Sequence, residues 1–99
     1  MPTLQVTIWS AAAEVALGVI ELEEIITISG TSAVNATPCP GFRKIKRMRL
    51  YSDTDCWVHW GSGTPVAKAD GTQGRMLSAD SPEYFSIRSG EKVAVIERT

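Results

Sequence analysis

Short apolar stretches separated by polar turn residues run along the whole chain, which is the pattern of β-strands. In residues 4–9, apolar side chains occupy every second position, beginning with Leu4. This period of two predicts a strand with one buried face. Similar stretches cover residues 24–29, 42–51, 56–60, 84–88 and 92–97. Short strands at this spacing predict an all-β domain of about seven strands: a small β-sandwich, jelly-roll-like or barrel-like.

Residues 10–24 fit either a helix or a strand. Their alanine-rich start and loose helical spacing favour a helix, whereas Gly18 and the β-branched pair after it favour a strand. Residues 31–41 are small, polar and end in Pro38-Cys39-Pro40-Gly41, so they are expected to form an exposed loop. Ser89-Gly90-Glu91 is a turn signal that predicts a hairpin between the last two strands.

Two strands carry patterns that strict alternation does not explain. Within residues 42–51, Ile45 lies on one face and Met48 on the other, so a β-bulge near residues 46–47 is expected to bring both inward. Within residues 56–60, one face carries Cys56, Val58 and Trp60, and the other carries Trp57 and His59. This strand is therefore expected to be buried on both sides, or to form an interface on one of them.

Length and composition indicate one domain that spans residues 1–99. The chain is 43% hydrophobic and 21% charged, which is ordinary globular composition. Its first strand either belongs to this domain or extends from it as an arm. The first residues lack the pattern of a signal peptide, and no apolar run approaches a membrane span, so synthesis in a reducing cytoplasm is expected. Two cysteines do not make a disulfide framework.

Charge is distributed unevenly although the net charge is only −1. Before residue 43 the charged residues are all glutamates; five basic residues then follow within residues 43–49. Two interpretations remain open. The basic run either balances the glutamates within the same fold, or it orients contacts with other copies and with charged partners.

Candidate catalytic and metal-binding residues are few. Cys56 and His59 are three residues apart, and on a strand they point to opposite faces, so they cannot share a metal ion. Asp53 and Asp55 form a pair that suits turn chemistry better than a cation site. His59 is the only histidine, and no nucleophile motif accompanies it. The sequence thus predicts neither an enzyme, nor a metal site, nor a cofactor.

Two binding functions stay open as alternatives. The basic run lies between Phe42 and Tyr51, an arrangement of cations and rings that suits single-stranded nucleic acid. No recognised nucleic-acid motif is present and the pI is acidic, so this partner is disfavoured. Trp60 beside the loop Gly61-Ser62-Gly63 hints at carbohydrate, because sugars stack on exposed rings.

The second half of the chain resembles a group of short tailed-phage proteins encoded among virion morphogenesis genes. The segments that carry the resemblance are Arg49-Leu50-Tyr51-Ser52, Asp55-Cys56-Trp57-Val58-His59-Trp60-Gly61, Thr64-Pro65-Val66-Ala67, Met76-Leu77, Pro82-Glu83-Tyr84-Phe85 and Gly90-Glu91-Lys92-Val93-Ala94-Val95-Ile96. The loop at residues 70–75 and the strong basic run depart from the pattern of that group.

The resemblance implies a non-enzymatic virion structural protein, with head decoration (cement) of the capsid as the favoured role. A small head–tail junction or tail component is the alternative. The implied partners are further copies of the chain, with a trimer favoured, and the major capsid protein or another virion protein; no membrane is involved. Aromatic and basic side chains are the expected contact residues. These interface candidates are Trp9, Arg43, Lys44, Lys46, Arg47, Arg49, Trp57 and Trp60.

Overall fold

The computed structural model describes residues 2–9, 20–42, 44–68 and 74–98. These residues form eight β-strands. In chain order they are β1 (Thr3–Trp9), β2 (Ile20–Thr27), β3 (Ala33–Val34), β4 (Ile45–Ser52), β5 (Cys56–Ser62), β6 (Arg75–Leu77), β7 (Glu83–Arg88) and β8 (Glu91–Glu97). No helix in the described part of the chain is long and apolar enough to cross a membrane.

The strands form two antiparallel sheets of four strands each. Sheet 1 has the order β2-β1-β4-β7, and sheet 2 has the order β3-β8-β5-β6. One hydrophobic core is built from both sheets, with Val6, Met48 and Leu50 from sheet 1 and Val58 and Val95 from sheet 2, all fully buried. The predicted all-β sandwich is therefore confirmed, with eight strands where about seven were expected.

The first strand is an internal strand and not an arm. β1 pairs with β2 along one side and with β4 along the other. Strand β2 begins at Ile20, so the end of the ambiguous segment 10–24 is strand. Residues 10–19 of that segment lie outside the described residues.

The bulge expected near residues 46–47 is wrong. Strand β4 pairs in unbroken register with both of its neighbours. Strict alternation therefore holds: Met48 and Leu50 point into the core, and Ile45 points outward with 57% of its surface exposed. An exposed isoleucine at the start of a strand costs little, whereas a bulge would break ladder hydrogen bonds. The register irregularity in this sheet lies instead between β1 and β2, at Ile8 and Trp9.

The predicted hairpin at residues 89–91 is also wrong. Strands β7 and β8 lie in different sheets, so the turn carries the chain across the core from one sheet to the other. Contacts with other segments hold it: the Ser89 amide donates to the Lys44 carbonyl (2.9 Å), and the Gly90 amide donates to the Cys39 carbonyl (2.9 Å). A local turn signal does not distinguish a hairpin from such a crossing, because both require the same tight reversal.

The segment at residues 31–41 is anchored to the sandwich and is not a simple exposed loop. It contains β3, and Asn35 within it is only 4% exposed. The Asn35 carbonyl oxygen Oδ1 accepts from the Val93 amide (2.7 Å), and its Nδ2 donates to Glu24 Oε1 (2.9 Å). Glu24 also accepts from the amide of Thr37 (3.1 Å) and from its hydroxyl (2.9 Å). This polar network joins β2 of sheet 1 to β8 of sheet 2.

A second, smaller apolar cluster covers the outer face of sheet 2. Ala67, Ala94 and Ile96 form it, with Trp57 and Val34 packed against them. The amide of Ala67 donates to Ser32 Oγ (3.0 Å), which holds the loop after β5 over this face. Side chains on both faces of strand β5 therefore pack against other residues of the chain. This was one of the two outcomes expected from its sequence, the other being an interface on one face.

Substitutions on β4 test the alternation. Leu50→Ala is expected to lower the free energy of unfolding by about 2–5 kcal/mol, since it leaves a cavity between the sheets. Ile45→Ala, five positions earlier on the opposite face, is expected to change it by no more than about 0.5 kcal/mol. Chemical denaturation measures both values. Similar losses for the two variants would show that Ile45 is also buried and that the register is wrong.

Acid titration tests the polar network. Burial by itself would raise the pKa of Glu24, but the hydrogen bonds from Asn35 and Thr37 together outweigh it and lower the pKa below its ordinary 4.5. The stability that ionised Glu24 supplies is thus fully present above 4.5 and is lost as the pH falls through the lower, folded-state value. Glu24→Gln is expected to destabilise the protein near neutral pH, with a smaller difference from wild type in acid. Thr37→Val should show the same trend to a lesser degree. Urea denaturation at a series of pH values measures the free energy of unfolding of each protein. If the free energy of Glu24→Gln changes with pH in parallel with that of wild type, the assignment is contradicted.

Candidate functional site

The outer face of sheet 1 gathers aromatic and arginine side chains from three neighbouring strands. β1 contributes Trp9, β4 contributes Arg47, Arg49 and Tyr51, and β7 contributes Tyr84. The register explains this meeting, because Trp9 lies opposite Arg47, and Arg49 lies opposite Tyr84. These five residues are called the arginine–aromatic face below.

An aromatic pair spans the centre of this face. The rings of Trp9 and Tyr84 are 6.0 Å apart at 81°, an edge-to-face contact. They come from strands that lie on either side of β4, so the pair reaches across that strand. Tyr84 is 61% exposed, which leaves most of its surface available for contact. Edge-to-face pairs hold their rings in defined positions, so this surface is preorganised for binding.

Arg49 and Tyr51 form a second ordered pair on the same face. The Arg49 guanidinium lies 5.3 Å from the centre of the Tyr51 ring, and it donates to Gln5 Oε1 (3.4 Å). Tyr51 in turn donates its hydroxyl to Asp80 (2.9 Å). This hydrogen bond to a carboxylate raises the pKa of Tyr51, and the phenol stays protonated at neutral pH.

Positive charge on this side of the molecule is not neutralised by neighbouring carboxylates. Arg47, Arg49 and Arg88 form no ion pair with any described residue. Glu23 stands on the same face, but its contact there is with the Thr7 hydroxyl (3.4 Å). Guanidinium groups whose charge no carboxylate of the described chain pairs with are available to an external carboxylate or phosphate.

The rest of the basic run has other surroundings. Lys46 points inward and forms an ion pair with Glu21 (2.7 Å), with only 13% of its side chain exposed. Lys44 is exposed, and its amide donates to Ser89 Oγ (3.0 Å). Arg43 lies outside the described residues. Lys46 thus follows the first interpretation of the charge pattern, balance within the fold, whereas Arg47 and Arg49 remain open for the second.

The other two tryptophans lie away from this face, packed against the two apolar clusters. Trp60 packs against the main core, and its ring is 4.8 Å from that of Phe85. Trp57 packs into the small cluster outside sheet 2, with the Arg98 guanidinium 5.9 Å from its ring centre. Both are half-buried. The packing of Trp60 weakens the hint of carbohydrate binding, which depends on an exposed ring.

The remaining candidates for chemistry fill structural positions. Asp53 accepts from the Thr3 amide (2.9 Å) and Asp55 accepts from the Ala79 amide (2.8 Å), so both carboxylates tie their turn to distant segments of the chain. The local bond expected of such a turn is made by Ser52, whose hydroxyl accepts from the Thr54 amide (3.0 Å). Burial raises the pKa of Cys39 and Cys56, so both thiols are protonated and weakly nucleophilic at neutral pH. Within the described ranges, no three His, Cys, Asp or Glu side chains cluster as metal ligands would.

Sequence analysis identified part of this face and missed the rest. Trp9, Arg47 and Arg49 were among the interface candidates, and the fold brings these three together. Tyr84 was missed, and Tyr51 was named only as a ring beside the basic run, although alternation against the apolar Phe85 and Leu50 places both outward. No protein-family model matches the chain, and no curated protein or solved structure matches it either.

Proposed function

We propose that the chain is a non-enzymatic structural protein of a tailed-phage virion, and that it acts as a head decoration (cement) protein. In this role it binds the assembled capsid and further copies of itself, and it stabilises the shell by burying surface between them. The resemblance of the second half of the chain to short virion proteins suggests the setting. The arginine–aromatic face is the observation that carries the proposal.

Three properties of that face support a role in protein binding. Its residues are Trp, Tyr and Arg, the types that dominate the binding energy of protein interfaces. It lies on a four-stranded sheet whose other side packs against the hydrophobic core, so the contact residues are held by a rigid support. Exposed isoleucines border it, with Ile25 at 69% and Ile20 at 59% exposure, and they extend the apolar area that a partner would cover.

The charge of the face defines the chemistry of the partner. Arg47 and Arg49 lie among neutral rings and have no carboxylate partner in the described chain. An acidic patch on the capsid surface would pair with them, and the rings would supply apolar contact between the charges. The alternative location, at the head–tail junction or in the tail, requires the same face and differs only in the partner that carries the acidic patch.

A double variant that reverses one charge and removes one ring tests the assignment of the face. Arg47→Glu, combined with Trp9→Ala, is expected to weaken binding to purified capsids by roughly 30-fold or more, the equivalent of about 2 kcal/mol. Lys68→Glu is the matched control, because Lys68 is exposed on the loop that covers the opposite sheet. Cosedimentation with capsids measures the affinities. If the double variant binds capsids as tightly as Lys68→Glu does, the arginine–aromatic face is not part of the interface. If the wild-type protein does not bind capsids, the decoration role is overturned.

Single-stranded nucleic acid is a second candidate, favoured by the same side chains. Arginines beside Trp9, Tyr51 and Tyr84 on an open sheet could pair with phosphates and stack on bases. With Arg47, Arg49 and Arg88 as the phosphate contacts, the plot of log affinity against log salt is expected to have a slope of about −2.

Fluorescence anisotropy with a labelled oligothymidylate measures this slope. Arg47→Gln is expected to make it shallower by about 0.7 if Arg47 binds a phosphate, whereas Lys68→Gln should leave it unchanged. If the oligonucleotide does not bind even at low salt, this candidate is excluded. If it binds and also displaces the protein from capsids, the two functions share one face.

A further inference from the structure

The four edge strands of the sandwich differ in how well they are protected against pairing with another chain. Two of them are very short: β3 has two residues and β6 has three. Edge strand β2 carries Glu21, Glu23 and Glu24, charges that oppose pairing with a like strand. Edge strand β7 has six residues, and no described strand pairs with its outer side. Of the two long edges of the described fold, β2 with eight residues and β7 with six, β7 is therefore the one that no run of like charges protects.

The backbone of β7 presents hydrogen-bonding groups alternately to β4 and to this open side. The Ser89 amide donates to the Lys44 carbonyl (2.9 Å), and this bond fixes which residues pair with β4. The backbone amides and carbonyls of Phe85 and Ile87 point toward β4, and those of Tyr84, Ser86 and Arg88 point toward the open side. The fold covers the last of these, because the Arg88 amide donates to Glu91 Oε1 (2.8 Å). Tyr84 and Ser86 are left with outward amide and carbonyl groups at the centre of the strand.

We propose that β7 pairs antiparallel with β7 of a second copy of this chain, about a two-fold axis at Phe85. In this register Tyr84 of one copy lies opposite Ser86 of the other, and each exchanges both of its outward hydrogen bonds. Register follows from the covered group: a pairing centred one residue later would require the Arg88 amide, which Glu91 already occupies. Sheet 1 of one copy and sheet 1 of the other then join into one continuous sheet.

Side chains at this edge suit a copy of the same strand. Phe85 is half-buried, with the Trp60 ring 4.8 Å away and the Arg75 guanidinium 5.1 Å from its centre. Across the axis the two Phe85 side chains face each other, so a copy would complete the burial of both. Neighbouring pairs place neutral Tyr84 beside neutral Ser86, and no like charges stand opposite one another. A two-fold contact of this kind is self-complementary and closes at a dimer.

The inference deepens the proposed function, on which its biological meaning rests, by naming how copies join. It also replaces the trimer favoured on the sequence with a dimer, because the described residues leave one long edge without a protecting run of charges, and such an edge supports a two-fold contact. In that dimer the arginine–aromatic faces of both copies lie on the same side of the joined sheet. Two binding faces on one particle would raise the avidity for a repetitive surface such as a capsid.

Hydrogen exchange on the wild-type protein, without capsids, tests the pairing directly. The amides of Tyr84 and Ser86 are expected to exchange slowly at high protein concentration and to speed up on dilution. The amides of Phe85 and Ile87, which face β4, should stay protected at every concentration. If the first two amides exchange fast while light scattering reports a dimer, then the dimer uses another surface and the proposal fails. A monomer at all concentrations also overturns it.

A proline substitution at the open edge gives the matched test. Ser86→Pro removes an amide that faces outward, so the ladder to β4 keeps its hydrogen bonds. The dissociation constant of the dimer, measured by light scattering at several concentrations, is expected to rise by at least about 30-fold. Ser86→Thr, which keeps the amide, should dimerise like wild type. A Ser86→Pro variant that is folded and still dimeric contradicts the proposal. Capsid binding by a wild-type protein that stays monomeric would leave the proposed function standing while the pairing proposal fails.

Discussion

The structure depends on the burial of two inner sheet faces against each other. Chain connections cross repeatedly from one sheet to the other, so neither sheet forms from a continuous stretch of chain. Each sheet therefore requires the shared core, in which residues such as Met48 of sheet 1 and Val95 of sheet 2 are completely buried. Because side chains alternate along a strand, the choice of the buried face also decides which residues the outer face presents.

The arginine–aromatic face is a direct result of that constraint. Once Met48 and Leu50 point into the core, Arg47 and Arg49 must point out. Their neighbours on the outer face come from strands that are distant in sequence, so Trp9 and Tyr84 meet only because β1 and β7 flank β4. A binding surface built in this way needs no loop to hold it, since the hydrogen-bonded ladder fixes the spacing of its side chains.

The two sides of the sandwich are closed by different means. Between β2 and β3, the polar network of Glu24, Asn35 and Thr37 links the two sheets. In it the Glu24 carboxylate accepts hydrogen bonds from the Asn35 amide group and from the Thr37 hydroxyl. Between β6 and β7, the contacts are aromatic and cationic, with Phe85 beside Trp60 and Arg75. On the first side the edge strand β2 carries glutamates, whereas on the second side β7 leaves a backbone edge that no described strand covers. This asymmetry is what gives the proposed dimer one defined contact.

Sequence by itself determined the class of fold and most of the strands, because period-two patterning is local. The same local rules placed Trp9, Arg47 and Arg49 among the contact candidates. Tertiary structure decided what no local pattern contains: that Lys46 pairs with Glu21, that residues 89–91 cross between sheets, and that Tyr84 joins Trp9. These outcomes depend on which strands become neighbours, and that choice is made by the joint burial of side chains far apart in the chain.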